Sequence, residues 1–140
     1  MEGAPPDEEG LFAYDALSGT WLRVDPQEAA REGVNVVYVR SPSCTCCRLV
    51  DIKLADLLKE FAGKANFIVV NCVSPASCPS GEASNLAPGL AVSALPAVVI
   101  VARTRRGLKR CAYFEGIPSL AELREAIRLA SRGCKQILHG

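Results

Sequence analysis

The sequence predicts an α/β domain: a central mixed sheet of four to five strands with helices on both faces. Three observations predict it. Val34–Val39, Asn66–Asn71 and Leu95–Ala102 are short, nearly continuous apolar runs, as buried strands are. Amphipathic patterns follow at Thr45–Ala62 and Leu120–Ser131. A helix between the first two buried strands implies a parallel crossover, and a tight turn between Leu95–Ala102 and a fourth strand at Leu108–Phe114 implies an antiparallel hairpin.

In chain order, residues 1–10 come first. Glu2, Asp7, Glu8 and Glu9, with no basic or apolar run, predict an acidic, mobile arm. Residues 11–140 are expected to form one domain. Leu11–Asp15 and Thr20–Val24 flank Ala-Leu-Ser-Gly and predict a short hairpin. Asp25-Pro26-Gln27-Glu28 is a helix start, predicting a helix over Pro26–Glu32 that stops at Gly33. In the main helix, Leu49, Ile52, Leu57 and Phe61 supply an apolar face, widened by Val50, Leu54 and Leu58. Asp51, Lys53, Asp56, Lys59 and Glu60 are expected on its wet side, and Gly63 ends it. Cys72–Gly81 reads as a loop and Glu82–Leu90 as a short helix. Arg103–Gly107 is a basic turn leading to a strand at Leu108–Phe114. Ser119 and Glu122 form a capping box for the last helix, which Gly133 ends.

Composition narrows the function. At 140 residues and 49% hydrophobic, the chain is long and apolar enough for one sizeable core. A net charge of +1 gives no reason to expect a nucleic-acid or membrane surface. The longest apolar run, Leu95–Ala102, is too short to cross a bilayer. The first ten residues lack the basic and apolar segments of a signal peptide, so a cytoplasmic location is expected. Seven cysteines are unusual there, because cytosol keeps thiols reduced. They point to redox catalysis, to metal binding, or to a cell that tolerates intracellular disulfides. Eleven arginines against five lysines fit the last loosely.

The chain is organised around Ser41–Arg48, Ser-Pro-Ser-Cys-Thr-Cys-Cys-Arg. Strand, then Cys44-Thr-Cys-Cys47, then helix has a chemical reason. The first thiol falls at a helix N-terminus, where unpaired N–H groups and the helix dipole favour a thiolate. The second, one turn on, is within reach to close a disulfide.

This order of elements resembles the thioredoxin fold. Val92-Ser93-Ala94-Leu95-Pro96 before Ala97–Val101 looks like the family's apolar residue and cis proline at the start of a strand. Gly116 after the hairpin agrees as well. The resemblance is strongest over residues 34–131. It implies that Cys44 is the exposed nucleophile and Cys47 the buried resolving thiol of a protein thiol–disulfide oxidoreductase. It also implies that Leu95 and Pro96 shape the substrate groove. Partners would be protein thiols and disulfides and a reductase or other thiol donor, with no cofactor or metal. The chain departs from the family at Ser43, where tryptophan is usual, and at Thr45-Cys46, where Gly-Pro is usual. Tyr38 stands where the preceding strand usually carries a buried carboxylate.

Several residues admit two readings. Cys46 is either an auxiliary thiol competing with Cys47 or an incidental small residue. Cys72 and Cys78 are either a structural disulfide across a proline-containing loop or a second redox pair. Cys111 and Cys134 read by default as free buried thiols, though the last helix packs near enough for them to meet. Arg40 and Arg48 either favour the Cys44 thiolate or are solvated surface charges. For the whole chain, the alternatives to the oxidoreductase are a thiol-rich metal-binding module and a non-catalytic scaffold.

Overall fold

A computed structural model describes residues 3–72 and 95–134, and 138–139 as backbone alone. Its elements are β1 (Gly10–Asp15), β2 (Thr20–Arg23), α1 (Pro26–Ala29), β3 (Gly33–Arg40), α2 (Thr45–Phe61), β4 (Asn66–Asn71), β5 (Ala97–Thr104), β6 (Gly107–Glu115), α3 (Leu120–Ser131) and β7 (Leu138–His139). They form one sheet in the order β2-β1-β4-β3-β5-β6-β7.

The expected frame is present. β3 and β4 are parallel, with Val36 opposite Phe67 and Tyr38 opposite Val69. β5 runs antiparallel to β3 and pairs with β6 in a hairpin. Among the described residues the sheet has seven strands rather than four to five, because the N-terminal hairpin joins it and β7 adds two residues. β1 lies antiparallel to β4, and β7 parallel to β6. Strand pairing over this distance leaves no local mark in sequence, since it depends on which edge is left open.

Alternation along β3 divides the core. Val34, Val36 and Tyr38 face α2 and α3, together with Leu54, Leu57, Phe67, Ile100, Leu123 and Ile127. Val37 and Val39 face the other way, with Ala29, Ala30, Ile68, Val70 and Val99. Helices therefore lie on both faces, α2 and α3 on one and the short α1 on the other. The segment expected as a helix over 82–90 lies outside the described residues.

Two expectations about helices are corrected. α1 covers only Pro26–Ala29, and the Asp25 side chain makes no capping hydrogen bond. On α2 the buried stripe is Cys47, Val50, Asp51, Leu54, Ala55, Leu57, Leu58 and Phe61. Leu49 and Ile52 are instead 51% and 53% exposed. The helix is turned so that Asp51 faces inward, where a buried cation meets it. By contrast, α3 has the capping box read from sequence. Glu122 N–H donates to Ser119 Oγ at 3.1 Å, and Ser119 N–H donates to the Glu122 carboxylate at 3.1 Å.

The default of free thiols at Cys111 and Cys134 is also overturned. They form a disulfide joining β6 to the end of α3, with Cα atoms 5.3 Å apart. Helix α3 ends at Ser131, and the chain turns back through Gly133 and Cys134 at φ +90° and +58°. That reversal carries the sulfur to the sheet.

Candidate dithiol site

The site begins where β3 ends. Ser41 Oγ accepts the Ser43 N–H at 3.3 Å and contacts Ser43 Oγ at 2.9 Å. Cys44 N–H donates to Ser41 O at 3.1 Å. These bonds close the Ser-Pro-Ser turn and set Cys44 as the N-cap of α2, with extended backbone angles (φ −89°, ψ 111°). Its sulfur accepts the Cys47 N–H at 3.3 Å, filling the role that serine or aspartate oxygens usually fill. Arg48 donates Nη2 to Pro42 O at 3.2 Å, bracing the turn from outside.

The three clustered cysteines differ in setting. Cys44 is half-buried, Cys46 exposed and Cys47 fully buried, all as free thiols. The Cys47 thiol is pushed up to about 12. Burial is the main cause, a hydrogen bond with the Cys44 sulfur adds to it, and the Ser41 N–H and the Arg40 charge oppose it. Cys47 is thus held as the neutral thiol at ordinary pH.

Beneath Cys47 lies a buried ionic cluster. Arg40 is 1% exposed, and its fork meets the Asp51 carboxylate with Nε–Oδ1 and Nη2–Oδ2 both at 3.0 Å. Its third nitrogen donates to Asn71 Oδ1 at 3.0 Å and to Pro6 O at 3.2 Å. Asp7 approaches the same nitrogen at 3.7 Å from the solvent side. Tyr38 Oη lies 2.7 Å from Cys47 O and 2.8 Å from Asp51 Oδ1. Burial alone would lower the Arg40 pKa, but the Asp51 carboxylate more than offsets this and holds it above its ordinary value. Burial, and then the same carboxylate, raises the Tyr38 hydroxyl well above the phenolic range. Arg40 is therefore no solvated surface charge, and Asp51 is not on the wet side of its helix.

The remaining site residues fall around this edge. Leu95–Pro96 is a cis peptide bond, and Val39 pairs with Ala97, so Pro96 enters at the sheet edge where β3 gives way to the Cys44 turn. Gly116 N–H donates to Pro96 O at 2.9 Å. Cys72 closes β4 at the same edge; it is fully buried, is not a free thiol, and donates its N–H to Arg40 O at 2.8 Å. Cys78 lies outside the described residues, as do Val92, Ser93 and Ala94. No group of three or more His, Cys, Asp or Glu among the described residues is placed to hold a metal ion. No described helix is long and apolar enough to cross a membrane. An open cleft of about 360 Å³ lies at the far end of the sheet, lined by Tyr14, Asp15, Arg31, Val34 and Asn66 among others. It is remote from the sulfurs and takes no part in the site.

Asp51 and Asn71 are the site residues that sequence reading missed. The available signal was an arginine closing an apolar strand, and an acid four residues after the second cysteine of a helical motif. Those two positions can face each other only once strand and helix are packed.

No protein-family model matches the chain, and no curated protein matches it. Solved structures do. Thioredoxin from Aeropyrum pernix is 18% identical, with 86% of this chain and 94% of that one covered and a TM-score of 0.60. Chloroplastic thioredoxin z is 22% identical, with coverage of 74% and 82% and a TM-score of 0.52. A malarial protein is 15% identical over 71% of this chain and 98% of its own, with a TM-score of 0.53. At such identities the likeness speaks to architecture alone. Together with the parallel β3–α2–β4 crossover, the β5–β6 hairpin and the cysteines at the start of α2, it establishes that this chain has a thioredoxin-like fold.

Proposed function

We propose that the chain is a protein thiol–disulfide oxidoreductase working through Cys44 and Cys47. One observation carries the reading: a half-exposed sulfur caps α2 and accepts the backbone N–H of a residue one turn on whose own thiol is buried. Cys44 as thiolate attacks a substrate disulfide, receiving support from the Cys47 N–H aimed at its sulfur. One substrate sulfur leaves and takes a proton from water. Cys47 then loses its proton and attacks Cys44, which breaks the mixed disulfide and releases the second substrate thiol. The protein ends as the Cys44–Cys47 disulfide, and a thiol donor returns it to the dithiol. Pro96, with Leu95 before it, borders the groove for the substrate chain. Substrates are protein disulfides, and the donor is a reductase or another dithiol.

Reduction of insulin disulfides tests this. The unaltered chain should turn over, Cys44→Ser should abolish turnover, and Cys47→Ser should stall at the mixed disulfide. Unchanged turnover in both variants would remove the catalytic claim and leave a scaffold. One equivalent of bound zinc or copper, with both thiols shielded from alkylation, would replace it with a metal-binding module.

A further inference from the structure

We propose that the buried Arg40–Asp51 pair is a positioning element for the resolving step, the guanidinium favouring the Cys47 thiolate and the carboxylate opposing it. The inference rests on the oxidoreductase reading above.

The geometry carries it. An ion pair taken out of water is costly and often no more stabilising than a well-packed apolar pair. Here one lies directly beneath the helical turn that bears a buried thiol. Arg40 is clamped in a fork, and the Tyr38 hydroxyl shares its one proton between the carboxylate that Arg40 holds and the Cys47 carbonyl. The pair is thus anchored to the backbone of the residue that must ionise. Among the described residues, the charged and titratable groups facing Arg40 and Asp51 are Tyr38 from β3, Cys47 from α2 and Asp7 from the N-terminal segment; the neutral Asn71 comes from β4. Inside so enclosed a site each charge acts with little solvent screening. The Arg40 charge acts on Cys47 in the direction proposed.

Cys47-SH and the Cys44–S–S–R mixed disulfide give the Cys44–Cys47 disulfide and R-SH. The sulfur–sulfur bond to Cys44 forms as the bond to R breaks, and the proton lost by Cys47 ends on the leaving sulfur. The rate of this step rises with the fraction of Cys47 present as thiolate, offset in part because a less basic thiolate is a weaker nucleophile, so a charge beneath Cys47 tunes it.

A small aromatic disulfide reads the step directly. Mixed with the reduced full-length chain carrying Cys46→Ser, it releases one coloured thiolate on attack by Cys44 and a second on resolution by Cys47. With its cation removed, Arg40→Met should slow the second phase about threefold, the net effect at fixed pH of one unit in a pKa once the stronger nucleophilicity of the more basic thiolate is counted. Asp51→Asn leaves the cation uncompensated and should speed it by a similar factor. Arg40→Lys should restore most of the loss. The double variant Arg40→Met/Asp51→Leu removes both charges and should fall between the singles, and it is the one best able to fold. A merely structural role would move both single variants the same way. Equal-signed shifts, no shift, or a double variant slower than Arg40→Met overturns the inference. Absence of any second phase in the parent overturns the oxidoreductase reading instead.

Discussion

Opening the Cys111–Cys134 bond tests how the last helix is held. Its two sulfurs are buried, at 3% and 2% exposure, and 23 residues separate them along the chain. In the chain-entropy model a loop of that length stabilises the native state by about 3.5 kcal/mol, because the unfolded chain loses that freedom. For a domain of 140 residues this corresponds to roughly 12 °C in Tm. Cys111→Ala, Cys134→Ala and the double variant would be unfolded in denaturant without reductant and compared with the parent. Each single variant breaks the same bond, so the double should cost little more than either single. A double variant within about 1 kcal/mol of the parent would refute the reasoning, since that is the effect of an ordinary substitution. So would strictly additive singles, which would show that the two sulfurs are not joined.

Further expectations concern the thiols and α2. In the reduced protein at neutral pH, iodoacetamide should label the accessible Cys44 and Cys46, while Cys47 stays protected; mass mapping showing Cys47 labelled as fast as either would contradict its burial. The raised Cys47 pKa also has a stability sign. The folded chain keeps a proton that the unfolded chain loses near pH 9, so this contribution is present below pH 9 and disappears as pH rises toward about 12. Denaturant midpoints of the reduced chain and of Cys47→Ala, measured across that window, should converge. Leu57→Ala should cost about 2–5 kcal/mol, because the side chain is 1% exposed between helix and sheet, whereas Leu49→Ala should stay within about 0.5 kcal/mol. Equal costs at the two positions would place the buried stripe of α2 elsewhere. Ser119→Ala should cost about 1 kcal/mol through the lost cap. The cap also holds the Glu122 pKa down, through the Ser119 N–H first. Its contribution should be present above the usual glutamate range and fade as pH falls below it.

The frame was legible because its signals are local. A run such as Val34–Val39 is apolar wherever it sits, and Ser119 with Glu122 needs no distant partner to cap a helix. The cysteine turn was legible for the same reason, since strand, spacing and helix start are contiguous. Asp51 was not. Periodicity assigns a carboxylate to water, and only Arg40, arriving from the neighbouring strand, reverses that assignment. Turning one residue inward also turned Leu49 and Ile52 outward, so one hidden ion pair explains three misplaced side chains. Cys111 with Cys134 was open for a related reason: spacing admits many pairings, and what chooses among them is the path of α3 back to β6.

The sole tryptophan has a spectroscopic consequence. Trp21 sits on β2, at the outer edge of the sheet and three strands from the one that leads to the cysteines. Its indole meets the Tyr14 ring edge-on at 5.2 Å and donates Nε1–H to Gly3 O at 3.2 Å. Fluorescence from this chain should therefore follow the seating of its first residues against the hairpin. It should stay almost dark to sulfur oxidation, so that reaction is better followed by mass or by a coloured leaving group.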